Sequence, residues 1–172
     1  MKTVAIIQAR MGSTRLPGKS LMNIDGRPII NYVFDRVSNS VLIDEVWLAT
    51  TTNAEDNVLE RWAQDQNIKY FRGSSDDVLD RYYQTALLSG ANTVIRITGD
   101  CPLVDPRVID MVLGEYQKGG FDYVCNTQPP TFPDGLDVEV FSFVSLEKTW
   151  KEAKLKSERE HVTPYIWKNS TI

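Results

Sequence analysis

The sequence predicts an α/β fold: a Rossmann-like, mainly parallel sheet with helices on both faces. Two observations predict it. Short β-branched apolar runs alternate with longer segments of helical periodicity, and the connections between them are short. Such alternation requires crossover connections, which place neighbouring strands parallel and cover the sheet on both sides.

The elements follow in order. Val4 to Ile7 is a buried strand, followed by a Gly/Ser/Pro-rich loop from Gln8 to Ser20. After a turn at Asp25-Gly26, Pro28 opens a helix with Ile29, Ile30, Val33, Phe34 and Val37 on one face. Val46 to Ala49 and Ile68 to Phe71 are strands on either side of a helix over Glu55 to Gln66. The next helix, Asp76 to Ser89, turns Val78, Leu79, Tyr82, Tyr83 and Leu87 inward and ends at Gly90. Thr93 to Ile97 is a fourth strand and Pro106 to Lys118 a fourth helix. Beyond Gly119-Gly120 the rhythm changes. Tyr123 to Cys125 and Val138 to Phe141 are strands around a Pro-rich loop, and Ser142 to Lys156 is an amphipathic helix.

With 172 residues and neither an internal repeat nor a linker, the expectation is a single domain over residues 1–172. A formal net charge of −4 argues against nucleic-acid or anionic-membrane partners, because no basic surplus exists to displace counterions. Two cysteines outside any C-x-x-C pair argue against a disulfide framework or zinc and for a reducing cytoplasm. The apolar run at Val4 stops at Gln8, too short for a signal peptide or a membrane span. Trp47, Trp62, Trp150 and Trp167 read as core or interface residues.

In such a sheet, ligands bind beyond the carboxyl ends of the strands. Two chemically loaded segments fall there. The first, Gln8 to Ser20, carries Arg10, Arg15 and Lys19 among Gly12, Ser13, Thr14 and Gly18. Glycines let the backbone approach an anion, Arg offers forked donors and Lys a point charge, so the loop suits a triphosphate. A flexible basic surface loop is the plainer alternative. Gly18-Lys19-Ser20 imitates the end of a P-loop, but Ser13 stands where its first glycine belongs and the helix starts only near Pro28. The second segment, Gly99-Asp100-Cys101-Pro102, puts a carboxylate at a strand end facing that loop, which suits Mg²⁺. An Asx-turn is the alternative role for Asp100. Cys101 and Cys125 read as packing residues, since Mg²⁺ prefers oxygen and no neighbouring base in the sequence activates a thiol.

Together, Ala5-Ile6-Ile7-Gln8-Ala9-Arg10, Ser13 to Lys19 and Gly99-Asp100-Cys101-Pro102 resemble the acidic-sugar cytidylyltransferases, which include the Kdo and acylneuraminate enzymes. Gly135 to Phe141 and Ser157 to Tyr165 resemble motifs of the spore coat polysaccharide biosynthesis protein F branch. The resemblance implies a nucleotide-diphospho-sugar transferase fold and a Mg²⁺-dependent transfer of CMP from CTP to an acidic sugar, with release of pyrophosphate. It implies a nucleotide site at Ala9, Arg10, Gly12, Ser13, Arg15, Lys19 and Asp100, with Arg15, Lys19 and Asp100 catalytic. Arg72 is added because the region after the third strand borders the cytosine in Kdo relatives. A homodimer is expected as in relatives. The family's further metal-binding Asp, in a Val-Asp-x-x-x-Asp-like segment near the C-terminus, has no counterpart here, so a C-terminal segment present in relatives is expected to be lacking. Asp137 or Glu139 are the substitute carboxylates, and Asp137, Glu139, Arg159 and His161 the acceptor-side candidates. His161 reads as a structural residue before Pro164 in preference to a general base for the sugar hydroxyl. A different class also fits: a catalytically silent nucleotide- or sugar-binding module of the same pathway. A nucleotidyltransferase using UTP is a third reading.

Overall fold

A computed structural model describes residues 1–13 and 16–169. The strands are β1 (Thr3–Gln8), β2 (Asn23–Ile24), β3 (Arg27–Pro28), β4 (Glu45–Thr51), β5 (Lys69–Gly73), β6 (Thr93–Thr98), β7 (Tyr123–Cys125) and β8 (Glu139–Ser142). The helices are α1 (Ile29–Ser38), α2 (Asn57–Asp65), α3 (Val78–Ser89), α4 (Pro106–Gln117), α5 (Phe143–Glu152), α6 (Lys156–His161) and α7 (Pro164–Asn169). Six strands form one sheet in the order β5-β4-β1-β6-β8-β7. The first four are parallel to one another, while β8 runs antiparallel to β6 and β7 antiparallel to β8. The expected mainly parallel α/β sheet is present.

Side-chain alternation along the strands builds two cores. Ala5 and Ile7 of β1, with Ile95 and Ile97 of β6, pack against Ile30, Val33, Leu59 and Ile109 on one face. Val4 and Ile6, with Val94 and Phe141, pack against Leu79, Tyr82, Leu146 and Ile166 on the other. Among the described residues no helix is long and apolar enough to cross a membrane.

Local chemistry explains the boundaries. Asp25 (φ 49°) and Gly26 (φ 77°) make the tight turn of the β2–β3 hairpin, where both central residues need positive φ. Asp77 caps α3 by accepting the Asp80 amide at 2.9 Å, and Gly90 closes it at φ 66°. Within α3 the inward stripe is Val78, Leu79, Tyr82, Tyr83 and Ala86, and Leu87, expected inward, lies 53% exposed. Ala86, one helical step earlier, keeps the 3.6-residue period and takes that place. The helix expected to reach Lys156 stops at Glu152. Arg159 of α6 reaches back to donate to the Trp150 carbonyl at 2.7 Å, satisfying an acceptor that helix continuation would have used.

On the β4 edge, Glu45 accepts from Lys69 (2.8 Å), Lys2 (2.9 Å) and the Trp47 indole (2.8 Å). The Lys69 hydrogen bond, with help from Trp47 and Lys2, holds its carboxyl down to about 2. A folded-state value below the unfolded one gives stability that is present above the ordinary value of about 4.3 and disappears as pH falls toward 2. Glu45→Gln is therefore expected to cost about 1 kcal/mol at pH 7. In urea unfolding, the gap between parent and variant should narrow as pH falls below about 4 and close only once pH passes below about 2.

Candidate nucleotide site

The strand order locates the site. From β1 the chain steps outward to β4 and β5, then crosses back to β6 on the other side of β1, so the topological switch lies between β1 and β6. Gln8 stands opposite Thr98, and the loops that leave these two residues flank the switch.

The first loop is held in shape by its own backbone. The Met11 carbonyl accepts the amides of Ser13 (2.8 Å) and Gly18 (2.9 Å), closing the loop, with Gly18 in the left-handed region at φ 74°. The Met11 amide donates to Asp56 at 2.6 Å, a fully buried carboxylate that also accepts the Thr51 hydroxyl. A short 3₁₀ turn, Lys19–Leu21, then aims Lys19 back across the switch, and its ammonium pairs with the Asp100 carboxylate. Burial works to raise the Asp100 pKa, but the hydrogen bond and charge of Lys19 outweigh it, and the net direction is downward.

Gly99 makes the close approach of the two loops possible. Its amide donates to the Gln8 carbonyl at 2.8 Å, and an added Cβ would lie 2.9 Å from both that oxygen and the Ala9 Cβ. Neither can retreat without moving β1. Gly99→Ala is expected to cost about 1–3 kcal/mol, a melting-temperature drop of roughly 2–12 °C by calorimetry.

Between the loops lies a cavity of about 310 Å³ that gathers Ala9, Arg10, Ser13, Lys19, Asp100 and His161 from the residues expected in the sequence. Gly12 is not on its wall and packs instead against the Glu55 carboxylate, which an added Cβ would strike. Arg15 lies outside the described residues. A second cavity of about 340 Å³ adjoins the first, sharing Arg96, Thr98 and His161, and is bordered by Asp137, Glu139, Thr127 and Gln128. Trp167 also borders it rather than the core. Burial and the neighbouring charges of Asp134 and Glu139 raise the Asp137 pKa.

Three expected residues have other partners. Arg72 lies outside the cleft: its guanidinium pairs with Glu60 and donates to the Thr51 (2.9 Å) and Asn53 (3.0 Å) carbonyls, tying β5 to β4. Arg159 donates to Asp77 from Nε (3.0 Å) and Nη2 (2.6 Å), clamping α6 to the start of α3. Glu139 borders the second cavity but is buried, ion-paired with Arg96 and hydrogen-bonded by the Tyr123 and Thr163 hydroxyls, each at 2.6 Å. Those contacts occupy the oxygens that a metal or sugar would need. Cys101 behaves as a packing residue. Its thiol lies 3.1 Å from the Thr98 hydroxyl, and burial pushes its pKa up, away from a reactive thiolate.

The sequence reading missed Gln8, Arg81, Arg96 and Thr98 in the cleft wall. Two carried a signal. Arg96 interrupts the apolar run of β6, and Arg81 stands on the inward stripe of α3. A charge at such a position needs a partner or a ligand.

Among the described residues no group of three or more His, Cys, Asp or Glu gathers as a metal cage. The donor set still suits Mg²⁺, which is commonly bound through one or two carboxylates with phosphate oxygens and water completing the shell. Asp100 is the cleft carboxylate at the strand end and fits that role.

A cationic loop facing a carboxylate across the switch point of a parallel sheet stands where open α/β proteins bind their ligands. The chain belongs to the cytidylyltransferase family, whose model matches residues 4–172. It is 41% identical over 172 residues to an uncharacterized protein of Methanocaldococcus jannaschii, covering 100% of this chain and 70% of that one. It is 34% identical over 165 residues to the spore coat polysaccharide biosynthesis protein SpsF of Bacillus subtilis, covering 94% and 68%. A 3-deoxy-manno-octulosonate cytidylyltransferase of Hydrogenovibrio crunogenus is 34% identical over 125 residues, 71% of this chain and 50% of that one. The structure of a cytidylyltransferase from Leptospira borgpetersenii superposes with a TM-score of 0.92 at 36% identity, covering 98% of this chain and 72% of that one. A CMP:2-keto-3-deoxy-manno-octonic acid synthetase complexed with CTP shares the fold, with a TM-score of 0.75 at 21% identity over 96% of this chain and 84% of that one.

Proposed function

We propose that this protein transfers CMP from CTP to an acidic sugar, with release of pyrophosphate, in the assembly of a surface polysaccharide. The observation that carries the reading is the convergence of Arg10, Ser13, Lys19 and Asp100 on one cleft, with Lys19 bridging the switch to Asp100. The cytosine base and the acidic sugar rest on the family and on the named relatives.

The chemistry fits these residues. Displacement at the α-phosphorus needs alignment and charge neutralisation more than covalent help. A sugar hydroxyl oxygen forms the new bond to phosphorus, the bond to the pyrophosphate oxygen breaks, and the hydroxyl proton is released to solvent. Arg10 and Lys19 neutralise the phosphate charge, and Ser13 and the loop amides orient it. Asp100 would hold Mg²⁺, which stabilises charge on the leaving pyrophosphate. The adjoining second cavity, with Asp137 and His161 on its wall, is the acceptor side.

The test is protection from heat. CTP with Mg²⁺ should raise the melting temperature of the parent protein, and Asp100→Ala should abolish the part that depends on the metal. Equal shifts in parent and variant remove the site assignment, and a larger shift with UTP removes the cytosine assignment. Pyrophosphate release across a panel of acidic sugars then separates an enzyme from a silent binding module, which releases none.

A further inference from the structure

We propose that Arg81 is an additional oxyanion anchor of this cleft, taking a phosphoryl or carboxylate group of the bound ligand on its guanidinium. The proposal rests on reading the cleft as a nucleotide site and adds a cation that the motif loop does not supply.

Arg81 is 2% exposed, yet it lines the cleft. Its stem enters because position 73 is glycine: a Cβ there would lie 2.9 Å from the Arg81 Cγ. Its Nη1 donates to the Ser74 carbonyl at 3.0 Å, while its Nε is buried with no hydrogen-bond partner. Among the described residues no carboxylate forms an ion pair with it. The two carboxylates whose charges bear on it have other partners. Asp56 accepts from Met11 and Thr51, and Asp77 accepts from Arg159 and the Asp80 amide. Burial pushes the Arg81 pKa down, and the charge of Arg10 adds to that direction.

A buried guanidinium without a counter-charge is unfavourable, and a ligand oxyanion reverses the imbalance through forked, charge-assisted hydrogen bonds. Two further unpartnered buried atoms, Gln8 Oε1 and Arg96 Nε, belong to residues on the same wall. Three of the four such atoms found among the described residues therefore belong to this one cleft, which marks its wall as built to meet a polar ligand.

The experiment compares the parent with Arg81→Met and Arg81→Lys by calorimetric titration of inorganic pyrophosphate, cytidine and 3-deoxy-manno-octulosonate, alongside melting of the ligand-free proteins. Arg81→Met is expected to bind an oxyanion ligand about ten- to a hundredfold more weakly, with cytidine affinity unchanged. Arg81→Lys, which keeps the charge but not the fork, should fall between. Weaker pyrophosphate binding assigns a phosphoryl group to Arg81, and weaker binding of the sugar alone assigns its carboxylate. The ligand-free melting temperature of Arg81→Met should hold or rise, since an unpaired buried cation is removed. Unchanged affinity for both anions in Arg81→Met and Arg81→Lys overturns the proposal. Lys19→Ala is the control: if it too leaves pyrophosphate affinity unchanged, the nucleotide reading of the cleft fails, and if it alone weakens binding, only the Arg81 assignment fails.

Discussion

Lys19→Ala is expected to lower CTP-dependent pyrophosphate release by about 10²–10³-fold, the cost typical of removing one preorganised donor from a developing charge. The reason lies in its position. Lys19 is carried on the last turn of the loop after β1, and its ammonium meets Asp100 from the loop after β6. In the proposed reaction it neutralises ligand charge, and its pair with Asp100 holds the two sides of the switch in register. The effect should fall on kcat more than on KM, since a leaving-group cation acts chiefly in the transition state. A continuous pyrophosphate assay at saturating CTP reads it. Combining Lys19→Ala with Asp100→Ala should cost much less than the sum of the two, because each single change already breaks the shared contact. Full additivity, or a rate equal to the parent's, would remove Lys19 from the machinery.

Glu139→Ala is expected to be the most destabilising single change, at about 3–5 kcal/mol. Glu139 is 6% exposed and receives Arg96, Tyr123 and Thr163 together. Removing it leaves the Arg96 charge and two hydroxyls without their acceptor in a site that water reaches poorly. Tyr123 cannot compensate by ionising, since burial, which the substitution leaves in place, drives its pKa upward. Replacing the pair together, Arg96→Met with Glu139→Leu, should recover most of the loss, because the desolvation penalty of both ions disappears with their attraction. Urea unfolding of the single and double variants decides this. A double variant as unstable as the single one would mean that the hydroxyl contacts, not the ion pair, hold β6, β7 and β8 at that edge.

Much of the site was legible because its chemistry is local in sequence. Three cations within ten residues, interleaved with glycine after a strand, suit an anion through chemistry that is read from the sequence directly. The elements that hold their period, such as Ile30, Val33, Phe34 and Val37 on α1, were equally legible. What the sequence left hidden depended on partners that meet only in the fold. Arg72 and Arg159 have the residue type of ligand-binding groups, and only the fold brings them to Glu60 and Asp77. The pairing of Glu139 was hidden for the same reason, since Arg96 stands 43 positions away.

The sequence by itself determined the α/β alternation, the anion loop and the carboxylate at position 100, because periodicity and local residue chemistry suffice for these. The tertiary structure decided which charged side chains remain available to a ligand. Crossing from β5 back to β6 beside β1 brings Asp100 to Lys19, and the antiparallel return of β8 beside β6 commits Glu139 to Arg96, while Arg81 is left buried without a counter-charge. The physical reason is that a charge is assigned its role by what neutralises it, and here the neutralising groups come from elements far apart in sequence.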